Sequence, residues 1–236
     1  MTSFLKPALV LILAIAFAVS PFLSDSFNGF DPNQFPNPQI NPPVQPIGWA
    51  FAIWGVIYLG LILHAGFGLF AHRDDPVWNM GRWPLILSLG VGAIWIPVAN
   101  ISPIWASVLI WLMLIAVLWS LHRAHTATPS WVASWPVGLC AGWLSAACFV
   151  SIGLLLGGYG LMAEGPAAIL CLVLATGFAL FWQIRLRLWT YGAAVVWAFA
   201  GIAFANAETS LVIAVLSAGA ALVVAIAAVS TSRKTA

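Results

Sequence analysis

Residues 47–71 have the sequence IGWAFAIWGVIYLGLILHAGFGLFA and contain no Asp, Glu, Lys or Arg. About 20 residues of helix cross the roughly 30 Å hydrocarbon core of a bilayer, so this stretch is long enough to span a membrane. Over the 236-residue chain, 63% of the residues are apolar, 6% are charged and the mean hydropathy is +1.04. A soluble domain needs more polar side chain than this to cover its surface. The sequence therefore predicts a polytopic membrane protein.

The same criterion of apolar length applies along the whole chain. It gives eight segments: residues 6–24, 47–71, 83–99, 102–121, 132–156, 165–184, 188–206 and 209–230. Short polar turns at 100–103 and 206–210 separate the third segment from the fourth and the seventh from the eighth. Ser102 followed by Pro103 is typical of a helix start. We therefore predict an all-α bundle of about eight transmembrane helices, forming one membrane domain over residues 1–236, rather than six longer helices.

The charged residues predict the orientation of these helices. If the N-terminus is cytoplasmic, every basic residue falls on the cytoplasmic side: Lys6, Arg73, Arg82, Arg123, Arg185, Arg187, Arg233 and Lys234. The opposite side carries Asp25, Asp31, Glu164 and Glu208. This asymmetry satisfies the positive-inside rule. We expect a protein of a bacterial inner membrane with both termini cytoplasmic, and we expect no nucleic-acid partner because the net charge of +2 is explained by topology.

Only one connection is long. Residues 25–46, DSFNGFDPNQFPNPQINPPVQP, contain six prolines among Asn, Gln and Asp, a composition that opposes helix and favours an extended external loop. Two interpretations remain open: a solvated linker, which is the default because loop composition alone does not indicate a lid, or a cover over the mouth of a pocket.

The interior of the predicted bundle lacks the residues that several chemistries need. It contains no Lys for retinal and no mid-membrane carboxylate for ion coupling. His64 is the only His well inside a span, and we interpret it as a hydrogen-bonded helix residue rather than a haem ligand. There is no metal constellation, nucleophile elbow or paired carboxylate. We therefore predict no enzyme, no catalytic residue and no metal site.

Fourteen tryptophans are present. Because an indole has an apolar body and one polar edge, most are predicted to form belts at the membrane interfaces. The predicted belts comprise Trp78, Trp83, Trp119, Trp131, Trp135, Trp182 and Trp189 on the cytoplasmic side, with Trp49 and Trp105 outside. The deeper indoles either pack between helices or line a cavity, and packing is the default. These are Trp54, Trp95, Trp111, Trp143 and Trp197.

An aromatic stripe marks the second span. Phe51, Trp54 and Tyr58 are spaced i, i+3 and i+7 and therefore lie on one helical face. At about 1.5 Å per residue, Tyr58 lies roughly 16 Å below the outer rim, near the middle of the bilayer. A phenol at that depth needs a hydrogen-bond partner, so this face is expected to point at protein or ligand and away from lipid.

At these positions the chain resembles the tryptophan-rich sensory protein family, also called the TspO or translocator-protein family. Its second helix carries a Pro, a Trp and then Trp-x-x-x-Tyr, the order found here at Pro46, Trp49, Trp54 and Tyr58. Two further segments are similar to the third and fifth helices of the family. The matching positions are Trp95 with Pro97, and Pro136 with Trp143, Ala147 and Ser151. The likeness covers residues 1–156.

The resemblance implies a membrane-embedded binding or sensory protein with an aromatic cavity for a flat apolar ligand, such as a tetrapyrrole, including a porphyrin or haem-type ligand, or a sterol-like molecule. The implied ligand-binding residues are Trp49, Phe51, Trp54, Tyr58, Trp95, Trp143, Ala147 and Ser151. The expected partners are membrane lipid and this ligand. Five helices are usual in the family, so the three helices of residues 157–236 make the chain an extended, divergent relative. They complete the bundle or form a homodimer interface. A transporter of a small neutral or amphipathic molecule is the alternative function.

Overall fold

The computed structural model describes residues 2–24 and 29–232, and these residues form helices and loops without a β-strand. The helices are α1 (Thr2–Leu23), α2 (Ile53–Phe70), α3 (Pro76–Ala99), α4 (Pro103–Arg123), α5 (Ser130–Ala133), α6 (Trp135–Gly158), α7 (Glu164–Leu186), α8 (Trp189–Ala205) and α9 (Leu211–Ser232). Short 3₁₀ turns occupy Pro32–Gln34 and Gly48–Ala52. The predicted all-α bundle is confirmed.

Eight of these helices are long, and seven of the eight have the length and hydropathy of membrane spans within the described part of the chain. The exception is α8, which is apolar but has only 17 residues. That length lies at the lower end of the range that crosses a bilayer. The chain is an integral membrane protein by these criteria.

Side-chain caps begin two of the helices. Oδ1 of Asp75 accepts hydrogen bonds from the backbone N–H groups of Val77 at 2.8 Å and Trp78 at 3.2 Å. Burial alone would raise the pKa of the Asp75 carboxyl, but these N–H groups and the His72 ring hold it below its ordinary value. Oγ of Ser102 accepts from the N–H of Trp105 at 3.4 Å, which confirms the helix start predicted at Ser102.

Helix α6 lies at the centre of the bundle and packs against α2, α4, α7 and α8. Its small residues permit a close approach of α8 in particular. A Cβ atom at Gly142 would lie 2.2 Å from the carbonyl oxygen of Tyr191 and 2.9 Å from the Cβ of Ala194. Only Gly fits at such a contact, because a methyl group would overlap the backbone of α8.

The two ends of the bundle differ in charge. We call them the basic end, where the described Lys and Arg residues lie, and the loop end, onto which residues 29–46 pack. At the basic end the Lys6 ammonium lies 5.5 Å from the ring centre of Trp83. At the loop end Gln39 donates to Glu164 at 3.1 Å. Three charged residues of the topology prediction, Asp25, Arg233 and Lys234, lie outside the described residues.

Candidate functional site

The loop at residues 29–46 packs closely onto the helix ends. Phe35, Gln39 and Val44 are buried, although they belong to a Pro-rich segment without long helices. Val44 lies against Gly153, where a Cβ atom would come within 2.8 Å of it. The interpretation of this segment as a solvated linker is therefore wrong over the described residues. Composition could not distinguish the two interpretations, because proline and amide residues are common in both solvated and packed loops.

Four hydrogen bonds to three helices hold this loop in place. The Gln34 side chain donates to the Ala99 carbonyl at 2.9 Å, at the end of α3. The Asn37 N–H donates to the Gly158 carbonyl at 2.9 Å, at the end of α6. Farther along the chain, the Asn206 side chain donates to the carbonyl of Pro43 at 2.8 Å. The Ile47 N–H donates to the carbonyl of Gly201 in α8 at 3.1 Å. The loop therefore forms a fixed roof over the bundle.

A cavity of about 360 Å³ lies between α1, α2, α3, α4 and α6, and none of residues 29–46 lines it. Aromatic rings make up much of its wall. The lining residues are Phe17, Pro21, Phe22, Gly48, Phe51, Ala52, Trp54, Gly55, Tyr58, Trp95, Ile96, Ile110, Met113 and Leu144. A cavity of this size falls within the range of small-molecule binding pockets, about 300–1,000 Å³.

A smaller cavity of about 50 Å³ adjoins the first one on the side of α6. The two cavities share four lining residues: Phe51, Trp54, Trp95 and Ile110. The other lining residues of the smaller cavity come from the loop and from α6: Gly29, Phe30, Gln45, Pro46, Trp143, Ala147, Val150, Ser151 and Leu154. The shared residues make the two spaces neighbouring parts of one site.

The rings of this site are arranged face to face and edge to face. Trp54 stacks on Tyr58 with ring centres 5.3 Å apart and an interplanar angle of 19°. Phe17 of α1 points its ring edge at both, at 5.5 Å from Trp54 and 5.0 Å from Tyr58. Trp143 meets Trp54 edge to face at 6.2 Å. These geometries match the preferred arrangements of aromatic pairs, so the ring walls are mutually supported.

Seven of the eight residues implied by the resemblance line one or both cavities. They are Phe51, Trp54, Tyr58, Trp95, Trp143, Ala147 and Ser151. Trp49 lies apart from them. Its side chain is 44% exposed and its ring contacts Trp197 and Phe204 of α8, with ring centres 5.0 Å and 5.8 Å away. Trp49, in the 3₁₀ turn that precedes α2, therefore packs against α8 and does not line the site.

Helices α1 and α4 also contribute to the site, and no sequence motif marks the residues that they supply. Phe17 lies in an apolar span that carries no motif, and Met113 and Ile110 belong to another such span. Phe30 of the roof is also part of the site. No local signal distinguishes these residues from the other apolar residues of their segments, because a lipid-facing and a cavity-facing side chain have the same chemistry.

A second aromatic cluster lies at the basic end. The Trp78 indole is sandwiched between the rings of His64 and His72, at 5.0 Å and 4.9 Å, and its Nε1–H donates to the carbonyl of Thr128. At 4% exposure Trp78 is a core residue, so its assignment to the interface belt was wrong. Nδ1 of His64 lies 2.9 Å from the carbonyl oxygen of Val132, which confirms His64 as a hydrogen-bonded helix residue.

The two remaining deep indoles contact neighbouring helical segments and line neither cavity. Trp111 of α4 contacts Phe149 and Phe178, on α6 and α7, with ring centres 5.3 Å and 6.2 Å away. Nε1–H of Trp197 donates to the carbonyl of Ala50 at 2.8 Å. Of the five deep tryptophans, Trp54, Trp95 and Trp143 line the site and these two do not.

The comparison with protein families extends the likeness beyond the quoted motifs. A family model described as TSPO-like protein matches residues 7–230, which includes the three C-terminal helices. No curated protein and no solved structure matches the chain significantly. The match covers nearly the whole sequence, in agreement with the aromatic stripe of α2 and the cavity it lines. The chain belongs to the TSPO-like protein family.

Proposed function

We propose that this protein binds a flat apolar ligand, such as a tetrapyrrole or a sterol-like molecule, in the site below the loop. It acts as a membrane binding or sensory protein. One observation carries the proposal: a cavity of about 360 Å³ is walled by the rings of Phe17, Trp54, Tyr58 and Trp95. A planar ligand gains buried area and offset stacking from such walls.

Transport of the ligand through the bundle is the less supported alternative. The basic end contains a surface cavity of about 460 Å³, lined by His72, Arg73 and Asp75 among other residues, which shares no lining residue with the site. A second cavity at this end, between His64, Arg82 and Ser134 among other residues, is only about 20 Å³. This small cavity shares no lining residue with the two cavities of the site. The described residues thus favour a site that is loaded and emptied near one membrane surface.

Replacement of a wall indole is the direct test of binding. A porphyrin is expected to quench the intrinsic tryptophan fluorescence saturably. In titrations followed by the absorbance of the porphyrin, Trp54→Leu and Trp143→Leu are expected to weaken binding by about 1 kcal/mol each, since each removes one aromatic contact. Thermal unfolding of each variant measures whether the fold is retained.

Trp119→Leu is the matched control for these variants. Trp119 lies in a membrane span but is 52% exposed and lines neither cavity, so its replacement is expected to leave the affinity unchanged. Equal effects of Trp54→Leu and Trp119→Leu, or a titration that never saturates, would contradict the proposed function.

For the orientation, we propose that both termini are cytoplasmic in a bacterial inner membrane. This rests on the described basic residues, which all lie at the end opposite the loop. In intact cells, a membrane-impermeant thiol reagent is expected to label Ile40→Cys, whose parent side chain is 70% exposed. Arg123→Cys is expected to react only after permeabilisation. The native Cys140, Cys148 and Cys171 are buried and add little background. Labelling with the opposite sidedness would contradict the orientation.

A further inference from the structure

We infer that the site selects uncharged, bilayer-dissolved ligands that carry hydrogen-bond acceptor oxygens over anionic ligands with the same ring system. The inference rests on the proposed function and narrows its ligand class. It separates tetrapyrroles from sterol-like molecules, because free tetrapyrroles of the haem type carry carboxylates whereas sterol-like molecules are neutral. Three independent properties of the site support it.

The first property is the absence of a cation from the walls. Six of the eight Lys and Arg residues are described, and none of them lines either cavity: Lys6, Arg73, Arg82, Arg123, Arg185 and Arg187. All six lie at the basic end, across the bundle from the roof. A carboxylate moved from water into an apolar site without a cationic partner costs several kcal/mol. An anionic ligand therefore finds no cationic partner among the described lining residues, and neutral donors offset only part of the cost of its desolvation.

The second property is a set of hydrogen-bond donors without protein acceptors. Among the described residues, the Ser151 and Tyr58 hydroxyls and the Nε1–H groups of Trp54 and Trp143 make no hydrogen bond to another residue. Ser151 and Trp143 are more than nine-tenths buried and both line the smaller cavity. Indole N–H groups donate only. Because buried polar groups are normally paired, these donors are suited to carbonyl, ether or hydroxyl oxygens of a ligand.

The third property is the position of the cavity mouth. Four residues that line the larger cavity are also exposed on the surface of the bundle: Phe22, at 86%, and Gly48, Ala52 and Gly55. Phe22 lies in the first membrane span and the other three lie in the second. The described part of the mouth thus faces the hydrocarbon between α1 and α2, while the roof covers the end of the bundle. A ligand that enters here is one that dissolves in the bilayer.

Matched probes that share a ring system and differ in charge test this selection. The full-length protein in phosphatidylcholine nanodiscs at pH 8 is titrated with protoporphyrin IX and with its dimethyl ester. The partitioning of each probe into lipid is measured on empty nanodiscs. Affinity is then calculated from the concentration of the probe in the lipid, so that a difference in partitioning does not contribute. The ester is expected to bind at least about tenfold more tightly than the dicarboxylate, given the cost of an unpaired buried carboxylate. A sterol and its sulfate ester repeat the comparison with a smaller ring system.

Donor-deletion variants test the polar part of the inference. Ser151→Ala and Tyr58→Phe are each expected to weaken binding of the dimethyl ester about fivefold, the scale of one hydrogen bond. Binding of an oxygen-free polycyclic hydrocarbon is expected to be unchanged in both variants. Tyr159→Phe is the matched control, because Tyr159 lines neither cavity.

The outcomes separate this inference from the proposed function. If both members of each pair saturate with equal affinity, or if the anion binds more tightly, the selection for neutral ligands is overturned while ligand binding stands. If the hydrocarbon loses as much affinity as the ester in the donor variants, the donor assignment is overturned. If no probe of either ring system saturates, the proposed function fails, and this inference fails with it.

Discussion

Arg82→Met is expected to lower the free energy of unfolding by about 3 kcal/mol or more, because hydrogen bonds to a charged group contribute about 1.5–3 kcal/mol each. Arg82 is 4% exposed, and its guanidinium donates to the carbonyls of Gly68, His72 and Arg73, at 2.9, 2.7 and 2.7 Å. It thereby caps the end of α2 and the turn that leads into α3. Methionine retains much of the apolar stem but leaves three carbonyls without this donor. Denaturant titration in mixed micelles measures the loss.

Two further substitutions test whether the loss of stability comes from the hydrogen bonds of Arg82. Arg123→Met removes an exposed cation at the same end of the bundle and is expected to change stability by less than about 0.5 kcal/mol, as is usual for surface positions. Arg82→Lys keeps the charge but provides one nitrogen instead of a guanidinium fork, so it is expected to give an intermediate loss. Equal stability of Arg82→Met and Arg123→Met would show that the carbonyls are satisfied by other groups.

Gly142→Ala is expected to have the second large effect. Overpacking should lower the free energy of unfolding by about 1–3 kcal/mol. The added Cβ would lie 2.2 Å from the backbone oxygen of Tyr191, and a backbone atom cannot move aside by a change of rotamer. The substitution must push α8 away from α6. The same denaturant titration measures it, and a distance between spin labels on α6 and α8 is expected to increase.

Gly177→Ala is the control for the glycine substitution. Gly177 lies within α7, and a Cβ atom there would meet nothing within 4 Å. Alanine at that position is expected to be neutral or slightly stabilising because it has the higher helix propensity. If Gly142→Ala is tolerated as well as Gly177→Ala, the close contact between α6 and α8 is incorrect.

The loop that forms the roof also contributes residues to the site. Loop residues such as Phe30 and Gln45 line the smaller cavity, and the same segment is hydrogen-bonded to α3, α6 and α8. The helices beyond residue 157 thus support the site indirectly: Asn206 and Gly201, both near the end of α8, hold the loop that covers it. This provides a structural role for the C-terminal part of the chain, which the family match also includes.

The sequence by itself determined the properties that depend on position along one helix. Apolar length gave the number of long helices because a bilayer imposes the same length requirement on every span. The spacing of Phe51, Trp54 and Tyr58 placed them on one face because helical periodicity is local, and all three line the larger cavity. The start of α4 at Ser102 followed from local hydrogen-bonding chemistry as well.

Only the tertiary structure decided what each face meets. Trp49 belongs to the same motif as Trp54 yet packs against α8, and Trp78 is a core residue, whereas Trp119 is exposed. Phe17 enters the site from a helix without any motif. The physical reason is that an apolar or aromatic side chain is equally compatible with lipid, with a neighbouring helix and with a cavity wall, so its chemistry does not select among them. The arrangement of the helices makes that selection, through close contacts such as Gly142 with Tyr191 and long-range bonds such as Asn206 with Pro43.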